Sequence, residues 1–226
     1  MRSIFAKFAV AASALALVGA APAPHWVNHL ETTENGHRFG NPEAKVKLIE
    51  WASYTCSHCA HFAMEGDAAL DLAYLPTGNV SFEIRPFARN IVDITASLLA
   101  QCGDPSKFKV NHALLMRNQS SWLGKAQQVN AEQQQRWGNG PFAARMRAIA
   151  DDLDLYELMA RNNYTVPELD RCLADEPAAK KIAEQTRADA AAYGIQGTPS
   201  FAINGRLVEN AYSWEALWPR LDAALN

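Results

Sequence analysis

The chain has 226 residues, 49% of them hydrophobic and 20% charged, a composition that supports a sizeable folded core and excludes a disordered protein. Its 21 Lys+Arg against 24 Asp+Glu leave a formal charge of −3, and no basic run interrupts the sequence. Neither feature offers the electrostatic footprint of a nucleic-acid binder, so no nucleic-acid partner is expected.

Arg2 and Lys7 are the only charges in the first twenty residues, and an apolar run over 8–18 ends in the small residues Gly19, Ala20 and Ala21. A charged lead, a short apolar stretch and an A-x-A-like end predict a signal peptide over 1–20, cleaved between 20 and 23. The alternative is an uncleaved anchor, although a membrane span needs about 20 apolar residues. Export would place the protein in the periplasm, where cysteines persist as disulfides. The four present, Cys56, Cys59, Cys102 and Cys172, are an even number.

Turn chemistry appears at Asn35-Gly36 and Asn41-Pro42. The run Val46–Ala52 (Val-Lys-Leu-Ile-Glu-Trp-Ala) predicts a strand covered on both faces. The cysteines Cys56 and Cys59 follow at once. Then Phe62, Ala63, Gly66, Ala69, Leu70 and Ala73 recur at helical spacing until Pro76 and Gly78 stop them. A second strand is expected over 80–85, closed by Pro86. From 91 to about 186 helical periods dominate, with a Gln-rich polar stretch at 127–135 and no strand pattern. A helix over 177–193 precedes strands at Ser200–Ile203 and 206–209, joined through Asn204-Gly205, and a last helix over 213–225 begins at the N-cap Ser213. The order implies an α/β fold in two parts, 25–90 and 187–226, split by an all-helical insertion over 91–186.

Cys56-Ser57-His58-Cys59 stands at the strand-to-helix junction. A helix N-terminus directs its dipole and free N–H groups at the first sulfur and stabilises a thiolate there. Cys56 is therefore expected as the exposed nucleophile and Cys59 as the buried resolving thiol. The His58 imidazole beside Cys56 would favour the reduced form and make the disulfide more oxidising. Cys56, Cys59 and His61 could instead ligate zinc, but a structural site wants four ligands, and His112 is isolated in sequence. No metal and no cofactor are expected, and His61 is read as an exposed helix residue.

Three stretches together resemble the DsbA-type thiol–disulfide oxidoreductases, the branch of the thioredoxin superfamily with a helical insertion. They are Gly40-Asn41-Pro42, the run from Glu50-Trp51-Ala52-Ser53-Tyr54-Thr55 into the cysteine motif, and Gly194-Ile195-Gln196-Gly197-Thr198-Pro199-Ser200-Phe201 leading into Asn204-Gly205-Arg206. The resemblance implies a thioredoxin fold, a central mixed sheet flanked by helices. It makes Pro199 a cis-proline facing the disulfide and a substrate-binding residue with Thr198. It makes Glu50 a buried acid that moves a proton to or from Cys59. Ser57 stands where the best-known oxidases have proline, and Thr198 where that oxidase has a bulkier apolar residue.

The implied activity is oxidation of dithiols in reduced, unfolded envelope proteins. Recycling would fall to a membrane quinone-linked partner of DsbB type, and the protein would be a monomer. Isomerases of this fold usually carry a dimerisation domain, for which the roughly 20 residues before the first strand leave no room. A reductase or isomerase of the same fold, or a non-catalytic metal- or peptide-binding protein, are the alternatives. Cys102 and Cys172, both in helical contexts of the insertion, are expected to form a structural disulfide, the alternative being two buried free thiols.

Overall fold

The computed structural model describes residues 26–226, so the expected signal peptide over 1–20 lies outside the described residues. Strands β1 (Leu30–Thr32) and β2 (His37–Gly40) pair antiparallel where the sequence indicates only a turn. Gly36 in that turn is required by space, because a Cβ there would lie 2.2 Å from the Ile84 carbonyl oxygen. β3 (Val46–Ala52) leads into α1 (Ser57–Ala69), which continues through a π-helical turn at Leu70–Tyr74, and β4 (Val80–Pro86) returns parallel to β3.

The insertion is all-helical. It comprises α2 (Ile91–Ala100), α3 (Phe108–Arg117), α4 (Gln119–Ala126), α5 (Ala131–Gly138), α6 (Phe142–Asp152), α7 (Leu155–Ala160) and α8 (Val166–Leu173). The long α9 (Glu176–Tyr193) runs uninterrupted through position 186. Then come β5 (Ser200–Ile203), β6 (Arg206–Leu207), shorter than the 206–209 expected, and α10 (Trp214–Leu225), capped by the Ser213 side chain. The six strands form one mixed sheet in the order β1-β2-β4-β3-β5-β6. This is the thioredoxin fold with a helical insertion.

β3 is central, with parallel β4 on one side and antiparallel β5 on the other. Successive strand residues face opposite sides, so Leu48, Glu50 and Ala52 share one face and Ile49 and Trp51 the other. The Leu48 face packs into the large core, where the Phe62 ring of α1 lies 4.6 Å from that of Phe201 on β5. Burying a side chain of that size stabilises the fold by roughly 1.5–3 kcal/mol. On the opposite face Ile49 and Trp51 pack with Ile195 and Ala202, and Trp51 Nε1 donates to Asp189 Oδ2 of α9 at 2.6 Å. Both faces of β3 are thus covered, which is why the strand reads as a continuous apolar run. Two charged residues interrupt that run: Lys47 is exposed, whereas Glu50 is buried on the α1 side.

Cys102, just after α2, and Cys172, at the end of α8, are joined by a disulfide with Cα atoms 5.5 Å apart. That bond ties the first helix of the insertion to the last.

Candidate active site at the head of the first long helix

Cys56 is the N-cap of α1, with extended backbone (φ −102, ψ 118), so the free N–H groups of the first helical turn face its sulfur. The turn before it is held from the insertion. Asp93 of α2 accepts from the Ser53 hydroxyl at 2.8 Å, from the Thr55 N–H at 2.9 Å and from the Thr55 hydroxyl at 2.9 Å. Asn90 in turn caps α2 by accepting from the Asp93 N–H. Gln119 of α4 donates to the carbonyls of Tyr54 (2.8 Å) and Cys56 (2.9 Å).

The two cysteines, both thiols here, occupy opposite surroundings. Cys56 is 6% exposed rather than open to solvent, because the Thr198-Pro199 segment lies over it. Its protonated thiol donates to the Thr198 carbonyl at 3.1 Å, and the Thr198-Pro199 peptide bond is cis. The Cys56 pKa is lowered to about 4. The Cys59 thiol is the foremost cause, joined by the Thr198 hydroxyl and the backbone N–H groups of Cys59 and His58, against an opposing effect of burial. The Thr198 hydroxyl oxygen is buried without a hydrogen-bond partner, which leaves it free to donate to the thiolate. His58 is exposed, and its backbone N–H faces the Cys56 sulfur. Cys59 is 0% exposed, and its pKa is pushed well above that of an ordinary thiol, first by burial, then by the hydrogen bond to Cys56 and the negative charges of Glu50 and Cys56.

Glu50, 1% exposed, lies on the same side of the sheet as the cysteines, and one of its carboxylate oxygens has no partner. Burial raises its pKa well above the carboxylate range, and the charges of Asp67 and Cys56 raise it further. A buried carboxyl whose neutral form is favoured in this way can give or take a proton.

The structure therefore brings Cys56, Cys59, Glu50, Thr198 and Pro199 together and leaves the Cys102–Cys172 bond apart in the insertion. His61 does not join the cysteines. Among the described residues it belongs to an exposed group with Glu65 and Glu215, its Nε2 lying 3.3 Å from Glu65 Oε1. Three contributors have no role in the sequence motifs: Asp93, Gln119 and Asp67. Only Asp93 leaves a sequence trace, the Asn90-x-x-Asp93 capping pattern.

The family model for thioredoxin matches residues 32–223. A crystal structure described as a protein-disulfide isomerase from Novosphingobium aromaticivorans is 41% identical. It covers 85% of this chain and 98% of its own, with a TM-score of 0.81. The chain belongs to the thioredoxin family. Wolbachia pipientis alpha-DsbA1 shares the fold at 20% identity, with a TM-score of 0.64 over 83% of this chain and 89% of that one. A Rickettsia bellii relative named "Putative protein-disulfide oxidoreductase" is 26% identical over 193 residues, covering 85% of this chain and 65% of that protein. A Rickettsia typhi relative of like name is 26% identical, covering 83% of this chain and 61% of that protein. The chain thus spans a little under two thirds of the length of the curated relatives it matches.

Proposed function

We propose that this protein is an exported thiol–disulfide oxidoreductase, and specifically a dithiol oxidase working in the periplasm on reduced, unfolded envelope proteins. One observation carries the reading: Cys56 caps α1 beside the Thr198-Pro199 segment while Cys59 is fully buried, an asymmetry that favours the thiolate of the first and the protonated thiol of the second. In the oxidised enzyme a substrate thiolate attacks the Cys56 sulfur. The Cys56–Cys59 bond breaks as the mixed disulfide forms, the electron pair leaves on Cys59, and Glu50 supplies the proton. A second substrate thiolate then attacks its partner sulfur in the mixed disulfide and expels Cys56 as a thiolate. Low basicity makes Cys56 a good leaving group in that step. Thr198 and Pro199, beside Cys56, would hold the substrate chain, and His58 contributes its backbone N–H. Cys102 and Cys172 are assigned a structural role. The reduced enzyme, a monomer in this reading, returns its electrons to a membrane quinone-linked partner of DsbB type.

An isomerase is the second reading, favoured by the description of the Novosphingobium protein. Reduction potential separates the two. A stabilised thiolate makes the disulfide the higher-energy state, and about 30 mV corresponds to 1.4 kcal/mol for two electrons. Equilibration with glutathione should give a value nearer DsbA's roughly −120 mV than thioredoxin's roughly −270 mV. A value near −180 mV, that of protein disulfide isomerase, together with efficient reshuffling of scrambled substrate disulfides, would transfer the assignment to the isomerase.

A further inference from the structure

Three buried polar atoms on neighbouring elements have no protein partner: Glu50 Oε2 on β3, Asp67 Oδ1 on α1 and His112 Nε2 on α3. Buried polar groups in folded proteins are satisfied by protein or by ordered water, so a site with three such atoms is a polar one. Their residues are linked. Asp67 is the foremost charge acting on Glu50, and His112 Nε2 lies 3.7 Å from Asp67 Oδ2. The other nitrogen of that ring, Nδ1, is 3.0 Å from the Tyr54 hydroxyl. Exposure differs sharply within the group. Glu50 is closed off and the His112 side chain is 2% exposed, whereas 20% of the Asp67 side chain is open. Beside Asp67 the Lys109–Asp71 ion pair, 2.6 Å long and partly exposed, makes the surface there polar.

We propose that Asp67 carries protons between Glu50 and solvent, with His112 positioning its carboxyl. The inference rests on Glu50 serving Cys59, as read above. When Cys59 attacks a mixed disulfide on Cys56, the new Cys56–Cys59 bond forms and the bound thiol departs with the electron pair of the broken bond. The Cys59 proton passes to Glu50 and leaves through Asp67; the reverse exchange returns it by the same route. The groups that face Asp67 suit this task. Burial and then the charge of Asp71 raise its pKa to about 8, while Lys109 and Arg117 of α3 pull it down, so it gains and loses a proton near neutrality. His112 is held neutral, its pKa lowered to about 3 by burial and then by His37 of β2. Tyr54 is raised well above an ordinary phenol by burial, then by Glu50, Asp67, Asp93 and Cys59, and stays protonated.

The test follows closure of the Cys56–glutathione mixed disulfide by Cys59 in the full chain, as a rate against pH. Glu50→Gln, Asp67→Asn and Asp67→Glu are compared, with melting curves for each. Asp67→Asn should slow closure on the order of tenfold near neutral pH, Asp67→Glu should restore it, and imidazole buffer should accelerate the Asn variant without affecting the wild type. A merely structural role would give neither the buffer rescue nor the altered pH profile. Should Asp67→Asn melt early, Asp67→Ala supplies the same readout. Wild-type closure at every pH in the Asp67 variants, with Glu50→Gln slow, would overturn the relay and leave the role of Glu50 standing. Wild-type closure in Glu50→Gln as well would overturn both.

Discussion

Cys102 and Cys172 reach each other across 70 residues of chain, and the fold holds them bonded between the ends of two helices of the insertion. Cys56 and Cys59 lie three residues apart within one helical turn, and the fold gives each a different protonation preference. The same residue type is thus used in two ways. At the insertion the surroundings are helical packing, and the bond closes a long loop that costs entropy in the unfolded chain. At the head of α1, hydrogen-bond donors converge on one sulfur while burial and a carboxyl act on the other. Sequence distance decides what a disulfide does for stability, and electrostatic asymmetry decides what it does for chemistry.

That contrast breaks down most visibly under cysteine replacement. Cys56→Ser should abolish thiol–disulfide exchange, a loss on the order of a thousandfold or more, because no nucleophile of comparable acidity replaces it. The paired change Cys102→Ala with Cys172→Ala should leave exchange within about twofold and cost about 4 kcal/mol in urea unfolding, the loop-entropy value for a separation of 70 residues. Equal loss of activity in both sets would erase the division of labour.

A smaller effect sharpens the comparison at the point where the insertion supports the reactive pair. Asp93 is fully buried and accepts from Ser53, Thr55 and the Arg89 N–H. Asp93→Ala removes that shared acceptor and leaves only the longer bonds between Ser53 and Thr55, at a cost of about 2–3 kcal/mol. Exchange should fall with it, since the turn carrying Cys56 loses its anchor. Chemical denaturation and turnover of a fluorescent dithiol peptide check the two parts separately. Unchanged turnover in a destabilised variant would show that the turn holds itself.

The reactive pair and its loop were legible because their signals are local or carried by a recognised motif. The two cysteines stand directly after an apolar strand, and the Gly-Thr-Pro segment precedes a strand and an Asn204-Gly205 hairpin. β3 was readable because covering both faces leaves a run of apolar residues. β1 and β2 were not, being three and four residues long, with polar residues such as Glu31 and Arg38 between the apolar ones. β2 is a strand because His37 pairs with Ile84 and Phe39 with Phe82, contacts more than forty residues away, and β1 follows by pairing with β2. Gln119 and Asp67 were silent for the same reason. Each acquires its surroundings only when the insertion packs on α1 and β3, and no short-range pattern encodes that. The exposure expected of Cys56 failed because a segment more than 140 residues downstream covers it.

The account stands on the acidity of Cys56. An ultraviolet titration of the reduced protein, following thiolate absorbance from acid to alkaline pH, reads it directly. The predicted midpoint lies near pH 4, against about 8.5 for an unperturbed thiol, with Cys59 silent through neutrality. A lowered folded pKa contributes stability to the reduced form that is present in full above the unfolded thiol's pKa and is lost as pH falls toward 4. Reduced protein should therefore melt above protein oxidised at Cys56–Cys59 near neutral pH, and the gap should close on acidification. A midpoint near the ordinary 8.5, with no such gap, would contradict the account.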